Sequence, residues 1–273
     1  MTTPVVRVGS DWLALREPAD GAARSTELAS VVAQAVAHHR HQIVHDLGSG
    51  TGSMGRWLAL RLPGRQRWVL HDRDADLLDV AAACPPIVVG AAVDVATRPG
   101  DLTRLDAGDL ADATVITASA LLDMLTFDEV DRVVTRCVAA GCPSLLTLSV
   151  TGQVTLTPRE PLDAGIEAAF NAHQRRRVGE RALLGPDAVT VAGNIARDLG
   201  ATVMTAPSPW RLGAAHGRLI EEWFDGWVRA AIEQEPSLLG AVGDYRARRR
   251  AQLARGGIDV VVRHLDLLIL PRR

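Results

Sequence analysis

The chain has 273 residues, 47% of them hydrophobic, enough to fill a substantial core in one large or two ordinary domains. Its 30 basic residues, every one an arginine, are interspersed with 32 acidic ones for a net charge of −2, so there is no broad positive field and nucleic acid is not an expected partner. Three cysteines without zinc-type spacing, no run of about eighteen apolar residues and no leader-like opening point to a cytoplasmic protein without metal, secretion or membrane insertion.

Residues 10–40 read as helical, with Ser10 as a cap, a break at Pro18-Ala19-Asp20-Gly21, and Leu28, Val31, Val32, Ala35 and Val36 along one face. His38, His39, His41 and His45 cluster near the end of this segment, but no acid or cysteine accompanies them, and a solvated helix end is the reading. From residue 43 the pattern alternates: strand 43–47, helix 53–62, strand 67–71, helix 74–83, strand 92–97, strand 114–118, helix 127–140, strand 144–150. That is the plan of a doubly wound α/β sheet. Beyond Thr151-Gly152 come helices at about 162–178 and 187–199, a strand at 201–205, helices at 215–234 and 237–255, and an apolar β run from Asp259 to Leu270.

Residues 43–55, Ile-Val-His-Asp-Leu-Gly-Ser-Gly-Thr-Gly-Ser-Met-Gly, read as a buried strand emptying into a glycine-rich turn and a helix. Gly48, Gly50 and Gly52 let the backbone turn sharply and touch a ligand, while the N–H groups that open the helix face it. Gly50, Gly52 and Gly55 also satisfy a dinucleotide fingerprint, with Asp72 at a fitting distance. Asp46, just ahead of the three glycines, suits an amino-acid-bearing nucleoside better than a pyrophosphate.

On these residues the chain resembles the class I S-adenosylmethionine-dependent methyltransferases, whose first motif is an acid-x-Gly-x-Gly-x-Gly loop; Asp46 to Gly52, with Ser49 inside, match it without a gap. The resemblance continues through Arg-Trp-Val-Leu-His-Asp at 67–72, where it implies that Asp72, with Arg73 beside it, binds the two ribose hydroxyls. It implies that Asp101 accepts from the adenine amino group, that the Leu102 backbone meets the ring, and that Ser119 to Asp123 line the transfer site. Local roles compete: Asp72 as a cap for helix 74–83, Asp101 as a turn residue after Pro99-Gly100, Ser119 and Asp123 as a polar strand exit and helix cap. The fold so implied is a seven-stranded, mostly parallel Rossmann-like sheet, with 201–205 and an antiparallel 259–270 as its last two strands. Residues 1–42 would form a helical lid, and 43–273 the methyltransferase domain, with helical cap insertions at about 152–200 and 213–256.

The implied cofactor is S-adenosyl-L-methionine, leaving as S-adenosyl-L-homocysteine. Because the sulfonium already activates its methyl group, the protein has mainly to align a nucleophile and exclude water, and no universal catalytic motif is expected. His173 and His216 are candidate bases for an oxygen nucleophile, each with a packing role as its rival, and Asp123 could orient an enol. Ser119-Ala120-Leu121-Leu122 stands where amino-methylating nucleic-acid enzymes of this superfamily carry an Asn-Pro-Pro-Tyr type tetrapeptide, which argues against a base as acceptor. Trp12, Arg16, Asp20 and Arg24 from the leading helix, with Trp210 and Arg211, are candidate substrate contacts; the arginines could clamp a carboxylate or phosphate. The expected function is methyl transfer to a small-molecule metabolite. The rivals are an NAD-dependent oxidoreductase and a non-catalytic cofactor-binding scaffold, and the oligomeric state, a homodimer included, stays open.

Overall fold

The computed structural model describes residues 8–272; the opening residues read above for a leader lie outside the described residues. Helices α1 (Ser10–Ala23) and α2 (Thr26–Ala35) precede β1 (His41–Leu47), α3 (Ser53–Leu58), β2 (Arg65–Asp72), α4 (Ala75–Ala83), β3 (Val93–Pro99), β4 (Val115–Ser119), α5 (Phe127–Ala139) and β5 (Ser144–Thr157). There follow α6 (Asp163–Gln174), a small hairpin of β6 (Arg177–Val178) and β7 (Arg181–Ala182), α7 (Ala188–Asp198), β8 (Thr202–Pro207), β9 (Trp210–Leu212), α8 (Gly217–Gln234), α9 (Leu239–Ala254) and β10 (Asp259–Leu270).

The main sheet runs β3-β2-β1-β4-β5-β10-β8, with β9 added on β10. The first five strands are parallel, and β10 lies antiparallel to both β5 and β8. This is the sheet order of Rossmann-like methyltransferases, with the late strand entering in reverse between its predecessors. The central strands are apolar on both faces because helices cover both: Val115, Ile116 and Ala118 of β4 are all buried. On one face α5 and α7 pack through Val130, Val133, Val134, Ala188, Ala192 and Ala196; on the other α2, α3 and α4 pack through Leu28, Val32, Met54, Leu58 and Leu78. A third core gathers Trp210, Leu219, Phe224, Trp227 and Tyr245 beneath α1, α6, α8 and α9.

Several boundaries differ from the sequence expectation. Helix α1 does not break at Pro18-Ala19-Asp20-Gly21 but runs through Pro18 to Ala23. The lost backbone bond is outweighed by tertiary anchoring within the same turn, where Ala19 and Asp20 are buried. The break falls at Arg24, whose extended backbone (φ −55°, ψ 139°) leads to Ser25. Ser25, not Ser10, is the capping serine: its Oγ accepts from Leu28 N at 3.2 Å, whereas Ser10 is the first helical residue behind Gly9. Strand β5 continues past residue 150 to Thr157, because β10 pairs with it from Asp259↔Thr157 to Ile269↔Ser144. Of the segment expected as a first cap insertion, α7 belongs to the helical layer on the sheet, and α6 to the third core.

Candidate functional site

The site lies where β1 and β4 end, at the crevice of the doubly wound sheet. Gly48, Gly50 and Gly52 all have positive φ (65°, 53° and 81°), the left-handed region that side chains resist. A Cβ at Gly48 would come within 2.9 Å of Leu121, and one at Gly50 within 3.1 Å of Leu13. Asp72 ends β2 with one carboxylate oxygen accepting from Gly50 N (2.8 Å) and the other from Asp74 N (2.9 Å). It therefore shapes the glycine loop, and each oxygen keeps a second lone pair for a ligand hydroxyl.

Beneath the loop lies a buried polar cluster. Asp46 is 1% exposed; its Oδ1 accepts from Thr117 Oγ1 at 2.7 Å on the neighbouring strand, and its Oδ2 has no partner. Burial pushes its carboxyl up to about 7, against the pull of the Thr117 hydrogen bond and the Arg24 charge. Arg24 is 3% exposed, and its Nη2 donates to Ser53 Oγ (3.1 Å) and Ser119 Oγ (3.0 Å). Its Nε and Nη1 have no partner, nor has the buried Ser49 Oγ within the loop. Burial lowers the Arg24 pKa, opposed by the charge of Asp20. Each unpaired buried group costs about 1–3 kcal/mol, so the cluster holds unmet hydrogen-bonding capacity of both signs.

Helix α1 closes over this cluster. At helical spacing, Leu13 meets the loop, Arg16 and Glu17 reach outward, and Asp20 and Arg24 point beneath. Arg16 grips Asp20 through Nε (2.9 Å) and Nη2 (3.1 Å), lies 5.1 Å over the Trp210 ring, and Trp210 Nε1 donates to Asp20 Oδ1 at 2.9 Å. Glu17 holds Arg56 of α3 through two hydrogen bonds of 2.7 and 2.6 Å. Across from Arg16, on the turn after β4, stands Asp123, half-buried; burial raises its carboxyl to about 6, with Arg16 pulling the other way. The turn is set by Ala120, whose φ of 51° swings Leu121 over Gly48.

The structure thus brings together Asp46, Ser49, the loop glycines, Asp72, Ser119, Asp123, Arg16, Arg24 and, at 6.5 Å from Trp210, Trp12. Other sequence candidates lie apart. Asp101 is exposed and engaged with Thr103 N and Oγ1, Leu102 packs on the α5 side, and Arg73 is exposed. Arg211 points to the opposite face of β9 from Trp210. His173 sits 3.9 Å from Glu233 of α8, with its pKa lowered by burial, and His216 Nδ1 accepts from Gly213 N. Trp210 is 3% exposed and braces Asp20. Among the described residues no three His, Cys, Asp or Glu side chains form a metal site, and no helix is long and apolar enough to cross a membrane.

Two features escaped the sequence reading. Asp266 on β10, fully buried, joins Ser25 N and Leu148 N. His45, grouped above with a solvated helix end, is instead fully buried in β1, where it links His71 (Nδ1 to Nε2, 3.0 Å) to an acid, Asp112 (3.0 Å), and burial depresses both imidazoles, His71 to about 4. Only side-chain alternation in β1 and β2 hinted at the second pair; nothing local signalled the first.

No family model and no curated protein matches the sequence. Solved structures do. The cyclopropane synthase MmaA2 from Mycobacterium tuberculosis is 12% identical with a TM-score of 0.51, covering 96% of this chain and 94% of that one. An O-methyltransferase family protein from Burkholderia thailandensis is 17% identical (TM-score 0.42); 66% of this chain is covered, and this chain spans about half, 51%, of its length. A SAM-dependent methyltransferase from Methanosarcina mazei is 9% identical (TM-score 0.47), with 86% and 95% covered. At 12% identity the likeness to MmaA2 shows the fold alone: the chain has a Rossmann-like α/β architecture of the kind that structure has.

Proposed function

We propose that the protein transfers a methyl group from S-adenosyl-L-methionine to a small-molecule metabolite. The observation that carries this reading is the unpaired set beneath the glycine loop. Arg24 offers donors, Asp46 Oδ2 an acceptor and Ser49 Oγ either, which matches the zwitterionic end of an amino-acid-bearing nucleoside and not a pyrophosphate. The fold supports it, since the reversed β10 departs from the 3-2-1-4-5-6 order usual in dinucleotide-binding domains. NAD-dependent oxidoreduction is accordingly the lesser reading.

Asp72 would take the two ribose hydroxyls on its free lone pairs while keeping Gly50 N, and Asp46 would take the ammonium on Oδ2. The Asp101–Leu102 turn would border the adenine. When bound, the cofactor's sulfonium supplies an already activated methyl group. The protein's own contribution is alignment and exclusion of water: Leu13 and Leu121 close the loop, and Glu17–Arg56 ties the lid to α3. Asp123 would accept a proton from the nucleophile, in preference to His173 and His216, which lie elsewhere; its raised carboxyl near Arg16 supports that role. Arg16, fixed by Asp20 and Trp210, and Trp12 would border the acceptor.

The test incubates the protein with methyl-labelled cofactor and a small-molecule cell extract. Label moving into that fraction with the wild type, and about 10–100-fold slower with Asp123→Asn, is the expected result. Cofactor binding without any transfer would favour the scaffold.

A further inference from the structure

Arg24 stands at the junction of α1 and α2, and Ser25 N next to it donates to Asp266 Oδ2 at 2.7 Å. The other oxygen of Asp266 accepts from Leu148 N at 2.8 Å. Leu148 has a φ of 56°, and the β5–β10 register shifts beside it, between Leu265 and Leu267. A single fully buried carboxylate therefore fastens the lid junction to two strands of the sheet. With its backbone so fixed, Arg24 lays its guanidinium between Ser53, just past the glycine loop, and Ser119, at the exit of β4. The Trp57 ring lies 5.7 Å away, and the charged groups facing it are Asp20, Arg16, Asp46 and Asp266. Two of its nitrogens stay unpaired although they are buried. A guanidinium serving only to balance Asp46 would be expected to bond it; here Asp46 Oδ2 and the Arg24 Nε and Nη1 groups are each left open.

We infer that Arg24 is the receptor for the carboxylate at the amino-acid end of the cofactor, and that Asp266 is its positioning residue; this rests on the methyltransferase reading above. Arg24 thus belongs to cofactor recognition and not to the acceptor pocket. The lid helix contributes a cofactor contact of its own, and closure of α1 and capture of the amino-acid end become one event.

The experiment is calorimetric titration of the full chain with S-adenosylhomocysteine and with 5′-methylthioadenosine, which keeps the nucleoside and thioether but lacks the amino-acid end. The wild type should bind both, the homocysteine nucleoside at least about 10-fold tighter. Arg24→Met should weaken S-adenosylhomocysteine by about 100-fold and leave 5′-methylthioadenosine within about 3-fold. Asp266→Asn should produce the same one-sided loss at about 10-fold, since an amide N–H would face Ser25 N or Leu148 N. If Arg24→Met fails to fold, Arg24→Lys decides, with a one-sided loss of about 10-fold expected. Equal losses of both ligands in the deciding variant, or no preference for S-adenosylhomocysteine in the wild type, would overturn the inference while leaving the nucleoside site standing. Failure of the wild type to bind either ligand would overturn the cofactor reading and the inference with it.

Discussion

Asp46 makes the protein less stable than it could be, and Asp46→Asn exposes this. Burial raises the folded carboxyl from its ordinary 3.8 to about 7, so between these values the native state holds a proton that the unfolded chain has released. Wild-type stability contributed by this group is therefore lost as pH rises from about 4 to 7 and stays lost above. The gap of about three pH units corresponds to about 4 kcal/mol at pH 8, but only about 2 kcal/mol at pH 5. An amide has no such titration, and its oxygen still accepts from Thr117 Oγ1. Asp46→Asn should then melt higher than the wild type, by about 5–10 °C at pH 8 and about 2–4 °C at pH 5. Calorimetric melts at both pH values provide the comparison, and background titrations shared by both proteins cancel in the difference. The same substitution should weaken S-adenosylhomocysteine about 10-fold, because the ammonium loses its charged partner. Equal melting differences at the two pH values, or a wild type more stable than the variant at pH 8, would refute this account of Asp46.

Other outcomes follow from the same geometry. Methyl-transfer rate should rise with pH through about 6 and then level off, as Asp123 must be ionised to accept a proton, and Asp123→Asn should flatten that limb of the profile. Trp210→Phe removes one of the donors on buried Asp20 and should cost about 1–3 kcal/mol in denaturant unfolding. Exposed Arg211→Ala should change stability by less than about 0.5 kcal/mol and leave cofactor binding intact. The depressed His71 contributes stability that is present above pH 6.5 and lost as pH falls toward about 4, so His71→Phe should show a shallower acid limb in pH-dependent melts.

The parts of this molecule legible in the sequence are those whose partners lie close along the chain. The three alternating glycines, Asp46 before them and Asp72 at the end of the next strand announce themselves by spacing, and the structure assembles them around one loop. The same local logic misplaced the helix break: Pro18 is a strong breaker, but its turn is anchored by Trp210, 190 residues away from Asp20. Asp266 reads as an ordinary polar residue in an apolar strand until Ser25, 241 positions earlier, comes to meet it. Strand β5 reads as ending near residue 150, since only the antiparallel partner at the far end of the chain extends it to Thr157. His173 and His216 attracted a catalytic role through imidazole basicity and a place in segments read as a cap, neither of which says where a side chain will stand.

The most direct test of the central claim is calorimetric titration of the purified chain with S-adenosylhomocysteine and, separately, with NADH, each repeated on Asp72→Ala. Micromolar binding of the homocysteine nucleoside, abolished by the substitution and with no heat from NADH, is the predicted result. Binding of NADH alone would contradict it.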